Sequence, residues 1–148
     1  EIDPQSCVAL CNLGTLLQDA KKDHKGAIKM FQKALQINPL HTATLGNYAT
    51  LCHDVLKDYD QAQLLYRQAL AVEPSHCTTL VNYAQLLREV QGKVDEAERL
   101  LYQANAADPT DALPYCALGN LLRDSRKDNT GARKAFERAY ELDPHNVH

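Results

Sequence analysis

The chain has 148 residues, 45% of them apolar and 24% charged, with a net charge of −3. A soluble chain of that size buries roughly 70% of its unfolded surface and needs neither disulfide nor metal to hold a core. Sixteen basic against nineteen acidic side chains, without a basic stripe, argue against a nucleic-acid backbone binder. No apolar run approaches the ~18 residues of a membrane-spanning helix. The five cysteines, at 7, 11, 52, 77 and 116, are odd in number and form no CxxC pair, so a reduced, intracellular and cytoplasmic setting is expected. The first residue is Glu1 and no leader precedes it, which predicts a segment of a longer chain.

Prolines stand at 4, 39, 74, 109 and 144, each 35 residues from the last, and only Pro114 falls outside the series. Ala27, Ala62, Ala97 and Ala132 keep the same step, as do Ala34, Ala69, Ala104 and Ala139. Between the two alanine columns lies a bulky one: Phe31, Tyr66, Leu101 and Phe136. The register predicts four repeats, 7–41, 42–76, 77–111 and 112–146, in one solenoid domain. Residues 1–6 read as the tail of a preceding repeat and 147–148 as the start of a further one.

In the first repeat Leu10, Leu13, Gly14 and Leu17 fall at i, i+3, i+4 and i+7, one apolar stripe on a helix. Ala27, Phe31, Ala34 and Leu35 make the stripe of a second helix. Pro39 then ends that helix and turns the chain into the next repeat. The second repeat gives Leu45, Tyr48, Ala49 and Cys52, the third Leu80, Tyr83, Ala84 and Leu87, and the fourth Tyr115, Leu118, Gly119 and Leu122. Small residues in one register (Gly14, Ala49, Ala84, Gly119) let two helices approach closely, so each repeat is expected to be a tight antiparallel helix pair.

Leu10, Leu13, Gly14, Leu17, Ala27, Phe31, Ala34 and Pro39 resemble the pattern of the tetratricopeptide repeat, and the three later copies match nearly as well. The resemblance implies an all-α fold, a right-handed α-solenoid of antiparallel helix pairs. It also implies a concave groove that holds an extended peptide or a partner helix. Two departures stand out. The period is 35 rather than 34, and Lys22, Lys57 and Lys127 replace a glycine that survives only as Gly92, which predicts a longer first helix or a wider turn. A 35-residue period also suits the RNA-reading pentatricopeptide repeats, but the prolines, the Gly/Ala columns and the negative charge fit them poorly.

Each repeat can be numbered from Cys7, Thr42, Cys77 and Ala112 as position 1. At 100° per residue, positions 4, 7, 8 and 11 share the core face, and positions 2, 5, 6, 9, 12 and 13 lie opposite. The resemblance puts the latter set on the groove. Position 6 carries Asn12, Asn47 and Asn82, with Ala117 in the last repeat and Asn120 one turn further on. An amide both donates and accepts, so such a ladder suits a peptide backbone of any sequence; bonding to the adjacent repeat is the plainer alternative. Position 13 is acidic throughout (Asp19, Asp54, Glu89, Asp124), and acid in the last turn opposes the helix dipole. Nearby Lys22, Lys57, Lys93 and Lys127 offer local compensation; an acidic rail for a basic or hydroxyl-rich ligand is the sharper reading. Position 12 runs Gln18, His53, Arg88, Arg123, making the groove less negative towards the C-terminal end.

A carboxylate clamp of the chaperone-binding kind would need cations where Val8, Cys11, Ala43, Gly46, Thr78 and Val81 stand. Cys7 and Cys11 are one turn apart without further ligands to complete a metal site. No phosphate-binding loop or catalytic constellation is present, so no cofactor, no metal and no enzymatic activity are expected. Without a capping helix, the second helix of the fourth repeat is expected to expose Phe136, Ala139 and Tyr140 and to promote self-association. The expected function is a noncatalytic scaffold that binds a protein or peptide of unspecified identity in its groove, without nucleic acid or membrane insertion. A substrate-recruiting array of a larger enzyme, such as a glycosyltransferase, and an oligomerisation module are the alternatives.

Overall fold

The computed structural model describes residues 3–145. Within them the chain forms α1 (Pro4–Asp19), α2 (His24–Ile37), α3 (Thr42–Leu51), α4 (Tyr59–Val72), α5 (Cys77–Glu89), α6 (Val94–Ala107), α7 (Ala112–Leu121) and α8 (Asn129–Leu142). Short π-helical segments, Cys52–Leu56 and Leu122–Arg126, extend α3 and α7. No strand occurs among the described residues. The supposed start of a further repeat at 147–148 lies outside them, as do Glu1 and Ile2 of the supposed preceding tail.

The residues group into two compact halves, divided along the chain between Pro74 and Ser75. In the N-terminal half α1 packs on α2 and α3 on α4, and both helices of the first pair touch α3. The C-terminal half repeats this plan: α5 packs on α6, α7 packs on α8, and α7 lies against the first pair.

Local chemistry sets the helix boundaries. Asp23, Asp58 and Asp128 cap α2, α4 and α8, each accepting from a backbone N–H in the first turn. The imidazoles of His41 and His76 do the same for α3 and α5, accepting from the Thr44 and Thr79 amides at 3.3 and 3.4 Å. Pro114 sits in the first turn of α7, where no intrahelical N–H is required. Pro4 is the first residue of α1, capped by Asp3, so this helix starts before Cys7 and the proline does not serve as a turn there.

Of the two outcomes expected, a longer first helix or a wider turn, every pair has the wider turn, the one that keeps Gly92 included. Asp23, Asp58, Lys93 and Asp128 each donate a backbone N–H of 2.9 Å to the carbonyl six residues earlier. Lys22, Lys57 and Lys127 adopt left-handed backbone with φ of 53–57°, matching Gly92 at 64°. A side chain there costs about 1–2 kcal/mol.

Packing follows the small and bulky columns. Ala27, Phe31 and Ala34 are fully buried in the N-terminal half, as are Ala62, Tyr66 and Ala69. Tyr48 stacks on Phe31 with ring centroids 6.0 Å apart, and Cys11 and Leu51 close the same cluster. Gly14 and Gly119 lie directly beneath the Phe31 and Phe136 rings. The buried stripe is wider than the sequence reading gives. Position 10 (Leu51, Leu86, Leu121) and position 3 (Thr44, Thr79, Pro114) are both buried. Within each half, α3 and α7 are covered twice, by their own partners and by the pair before them, whereas one stripe of periodicity marks only one contact.

Candidate functional site

The first helices of the C-terminal half line a cleft of about 200 Å³. Val81, Ala84, Leu101 and Leu121, all buried, form an apolar base, and Gln85, Arg88, Glu89 and Asn120 supply polar groups around it. Arg88 is largely sequestered, its side chain 19% exposed, and holds two carboxylates: Glu89 at 2.7 Å and Asp124 at 3.7 Å. Arg123 donates from Nε to Asp124 Oδ1 at 2.7 Å and from a terminal nitrogen to Oδ2 at 3.2 Å. Gln85 donates to Glu89 at 3.2 Å. The Arg123 hydrogen bond holds the Asp124 carboxyl below the usual aspartate range, with Arg88 a smaller contributor and Lys127 the least. The acids at position 13 are therefore compensated here by the arginines of position 12 rather than by the lysines of the turn. Those lysines sit in left-handed backbone at the helix end.

In the N-terminal half Asn12, Asp19 and Asp54 are exposed on the first helices. Asn47 is exposed too, but donates its amide N–H to Thr15 Oγ1 at 3.2 Å, with Cys11 Sγ at 3.6 Å. At this rung the ladder ties one helix pair to the next, the plainer of the two roles considered. Asn82 is half-buried and has interactions of its own. His53 is withdrawn from the surface, 6% exposed, edge-on to Tyr59 at 6.0 Å and 3.6 Å from Asp54. Cys11, read from sequence as a small groove residue, is buried in the core cluster. Cys7 is buried as well, its thiol 3.4 Å from the Ala34 carbonyl, and burial raises its pKa.

Of the three residues expected at an open end, Tyr140 is 57% exposed and Phe136 is half-buried under the Arg123 guanidinium, 5.7 Å from the ring centre. Ala139 is fully buried against its own helix partner and does not belong to that surface.

Two further clefts occupy one register and were not evident from the sequence. In the N-terminal half Leu35, Leu45 and Gln68 help line a largely apolar cleft of about 700 Å³. Seventy residues on, Asn105, Tyr115 and Arg138 line a cleft of about 530 Å³. The buried Asn105 Oδ1 has no hydrogen-bond partner there. An isolated Asn in place of a leucine column is the only sequence signal, and it is weak.

Antiparallel helix pairs with small residues at their crossings, and polar first helices beside an apolar-based cleft, define a helical-repeat interaction array. Residues 8–39, 55–112 and 113–146 match the tetratricopeptide repeat. Together these spans take in most of the chain, and it belongs to the tetratricopeptide repeat family. Arrays of this family generally mediate protein–protein interaction. Among solved structures, the chain is similar to pilF of Pseudomonas aeruginosa, at 25% identity and a TM-score of 0.83 over 96% of this chain and 63% of that one. It also resembles MamA (16% identity, TM-score 0.75, 96% of this chain and 81% of that one). A tetratricopeptide repeat protein from Parabacteroides merdae is similar as well (23% identity, TM-score 0.75, 97% and 56%). The chain thus spans less than two thirds of the length of the first of these. No curated protein sequence matches it. Among the described residues no helix is long and apolar enough to cross a membrane.

Proposed function

We propose that the chain is a noncatalytic scaffold that binds an extended peptide segment of a protein partner along the polar face of its first helices. The observation that carries this reading is the cleft beside α5 and α7. It has an apolar base wide enough for a small side chain and amide and guanidinium groups around it. Asn120 and Gln85 offer both donors and acceptors to a peptide backbone, so affinity there would depend little on ligand sequence. The acidic residues of that cleft are already held by Arg88 and Arg123. A strongly basic ligand therefore gains little from them. Asp19 and Asp54 in the other half are the acids better placed to select a cation.

A peptide array probed with the chain, and again with Asn120→Ala and Arg88→Ala, tests the assignment. Peptides lost in both variants, with unchanged helix content, support it. Undiminished binding in both variants sinks it and moves recognition elsewhere. The pair Asn47→Ala and Asn82→Ala separates the ladder from the cleft, because Asn47 already serves a structural bond.

A further inference from the structure

Neither peptide capture nor the fold accounts for the cleft beside Asn105. It lies within the C-terminal half, lined from α6, α7 and α8, and its volume of about 530 Å³ falls in the ~300–1,000 Å³ range of small-molecule sites. A further helix pair packed on α8 would leave it open. Within their own halves α2 and α6 each carry a following pair, yet Lys29 and Lys33 on α2 and Arg99 on α6 remain exposed. These residues hold the register of Lys134 and Arg138, which α8 turns to the cleft.

Buried Leu118, Leu122 and Ala135 give the cleft apolar lining, and Tyr102 and Tyr115 add ring surface. Asn105 lines it too, only 9% exposed, and its Oδ1 has no hydrogen-bond partner. The fold does not require an amide here, because Leu35 holds the same register in the largely apolar cleft of the N-terminal half. A polar group out of water without a partner destabilises the chain that carries it. The charged groups of the lining are engaged, with one exception. Glu98 accepts from Arg126 at 2.9 Å, Asp128 accepts from the Gly131 amide at 2.9 Å, and Arg138 donates to Glu141 at 3.1 Å. Exposed Lys134 has no carboxylate partner among the described residues.

We propose that this cleft binds a small phenolic acid, with its ring on the apolar lining, its hydroxyl on the Asn105 amide and its carboxylate towards Lys134. The groups left unsatisfied define that class: a neutral hydrogen-bonding end inside, an anionic end outside and an apolar plane between. The oxygen and nitrogen of the amide exchange by a half-turn about Cβ–Cγ, and a hydroxyl, which both donates and accepts, pairs with either.

Isothermal titration with 3-(4-hydroxyphenyl)propanoate tests this, beside 3-phenylpropanoate, which lacks the hydroxyl, and the methyl ester of the hydroxy acid. The unmodified chain is expected to bind the hydroxy acid about tenfold more tightly than 3-phenylpropanoate. Asn105→Leu is expected to bind both acids equally weakly while unfolding at no lower urea concentration than the parent, so the lost preference is not lost structure. Should its helix content fall, Asn105→Ala replaces it. Lys134→Glu, at an exposed position, is expected to weaken the hydroxy acid about fivefold and leave the ester unchanged. An unmodified chain that does not bind the hydroxy acid, or binds the two acids equally, overturns the proposal. A preference for the hydroxyl that survives Asn105→Leu overturns it as well, and an ester weakened as much as the acid overturns the Lys134 contact. These variants leave Asn120 and Arg88 intact, so peptide capture stands or falls separately.

Discussion

The two glycines beneath phenylalanine rings give a prediction in which the surroundings, not the residue, set the outcome. A methyl group added at Gly14 would lie 2.7, 2.9 and 3.1 Å from three carbons of the Phe31 ring; at Gly119 the distances to Phe136 are 2.6, 2.8 and 2.8 Å. Carbon atoms pack best at about 3.5–4.0 Å, so either ring must move by most of an ångström. Glycine to alanine in a helix interior gains about 1 kcal/mol of helix propensity, and overpacking costs about 1–3 kcal/mol. Phe31 cannot yield: it is fully buried and stacked under Tyr48. Phe136 is half-buried and can swing outward. Gly14→Ala is therefore expected to cost about 1–2 kcal/mol net, and Gly119→Ala to stay within about 0.5 kcal/mol of the parent chain. Urea unfolding followed by far-ultraviolet circular dichroism, at dilution sufficient to keep the chain monomeric, measures both. In a Phe31→Leu background, which copies the Ala84 and Leu101 pairing of the third repeat, the Gly14→Ala penalty should vanish. Equal costs at the two glycines, or no coupling to Phe31, would refute the argument.

Three more outcomes follow from features elsewhere. Lys127→Gly, at φ 57°, should raise the unfolding midpoint by an amount equivalent to about 1 kcal/mol, whereas Gly92→Lys should lower it; thermal melts compare the two. Asn105→Leu removes a buried amide oxygen without a partner and restores the residue of the Leu35 and Leu70 column, so it should stabilise the chain by about 1 kcal/mol in the same urea assay. Burial, and then Asp58, push the Cys52 thiol from 9.0 to about 11, and burial pushes the Tyr66 phenol up as well. The folded chain keeps protons that the unfolded chain releases, so this contribution is intact below pH 9 and is lost as pH rises towards 11. Urea midpoints should fall across that window, and Cys52→Ala should flatten the decline; a steeper fall in the variant would contradict the assignment.

Much of this protein was legible in its sequence because a repeat states the same physical requirement several times. Proline at a 35-residue step, alanine columns and the Phe/Tyr/Leu column between them fixed helix pairs, their polarity and their close approach before any coordinate was needed. The lysines in place of glycine suggested a longer first helix or a wider turn; the turn is the same left-handed residue and six-residue hydrogen bond at all four places, Gly92 included. What periodicity could not supply was the second buried face of each first helix. Leu51 is buried with Cys11, Ala27 and Phe31 of the preceding pair, and a hydrophobic stripe reports that a side chain leaves water, not which neighbour removes it. The partners of the acidic column were hidden for a related reason. Lysines three residues away along the chain looked sufficient, yet Asp124 is held by Arg123 beside it and by Arg88 from the preceding pair. Sequence determined the unit and its step; only tertiary packing decided which side chains each unit spends on its neighbour and which it leaves to a partner, because that division depends on helix-to-helix distances absent from any single helix.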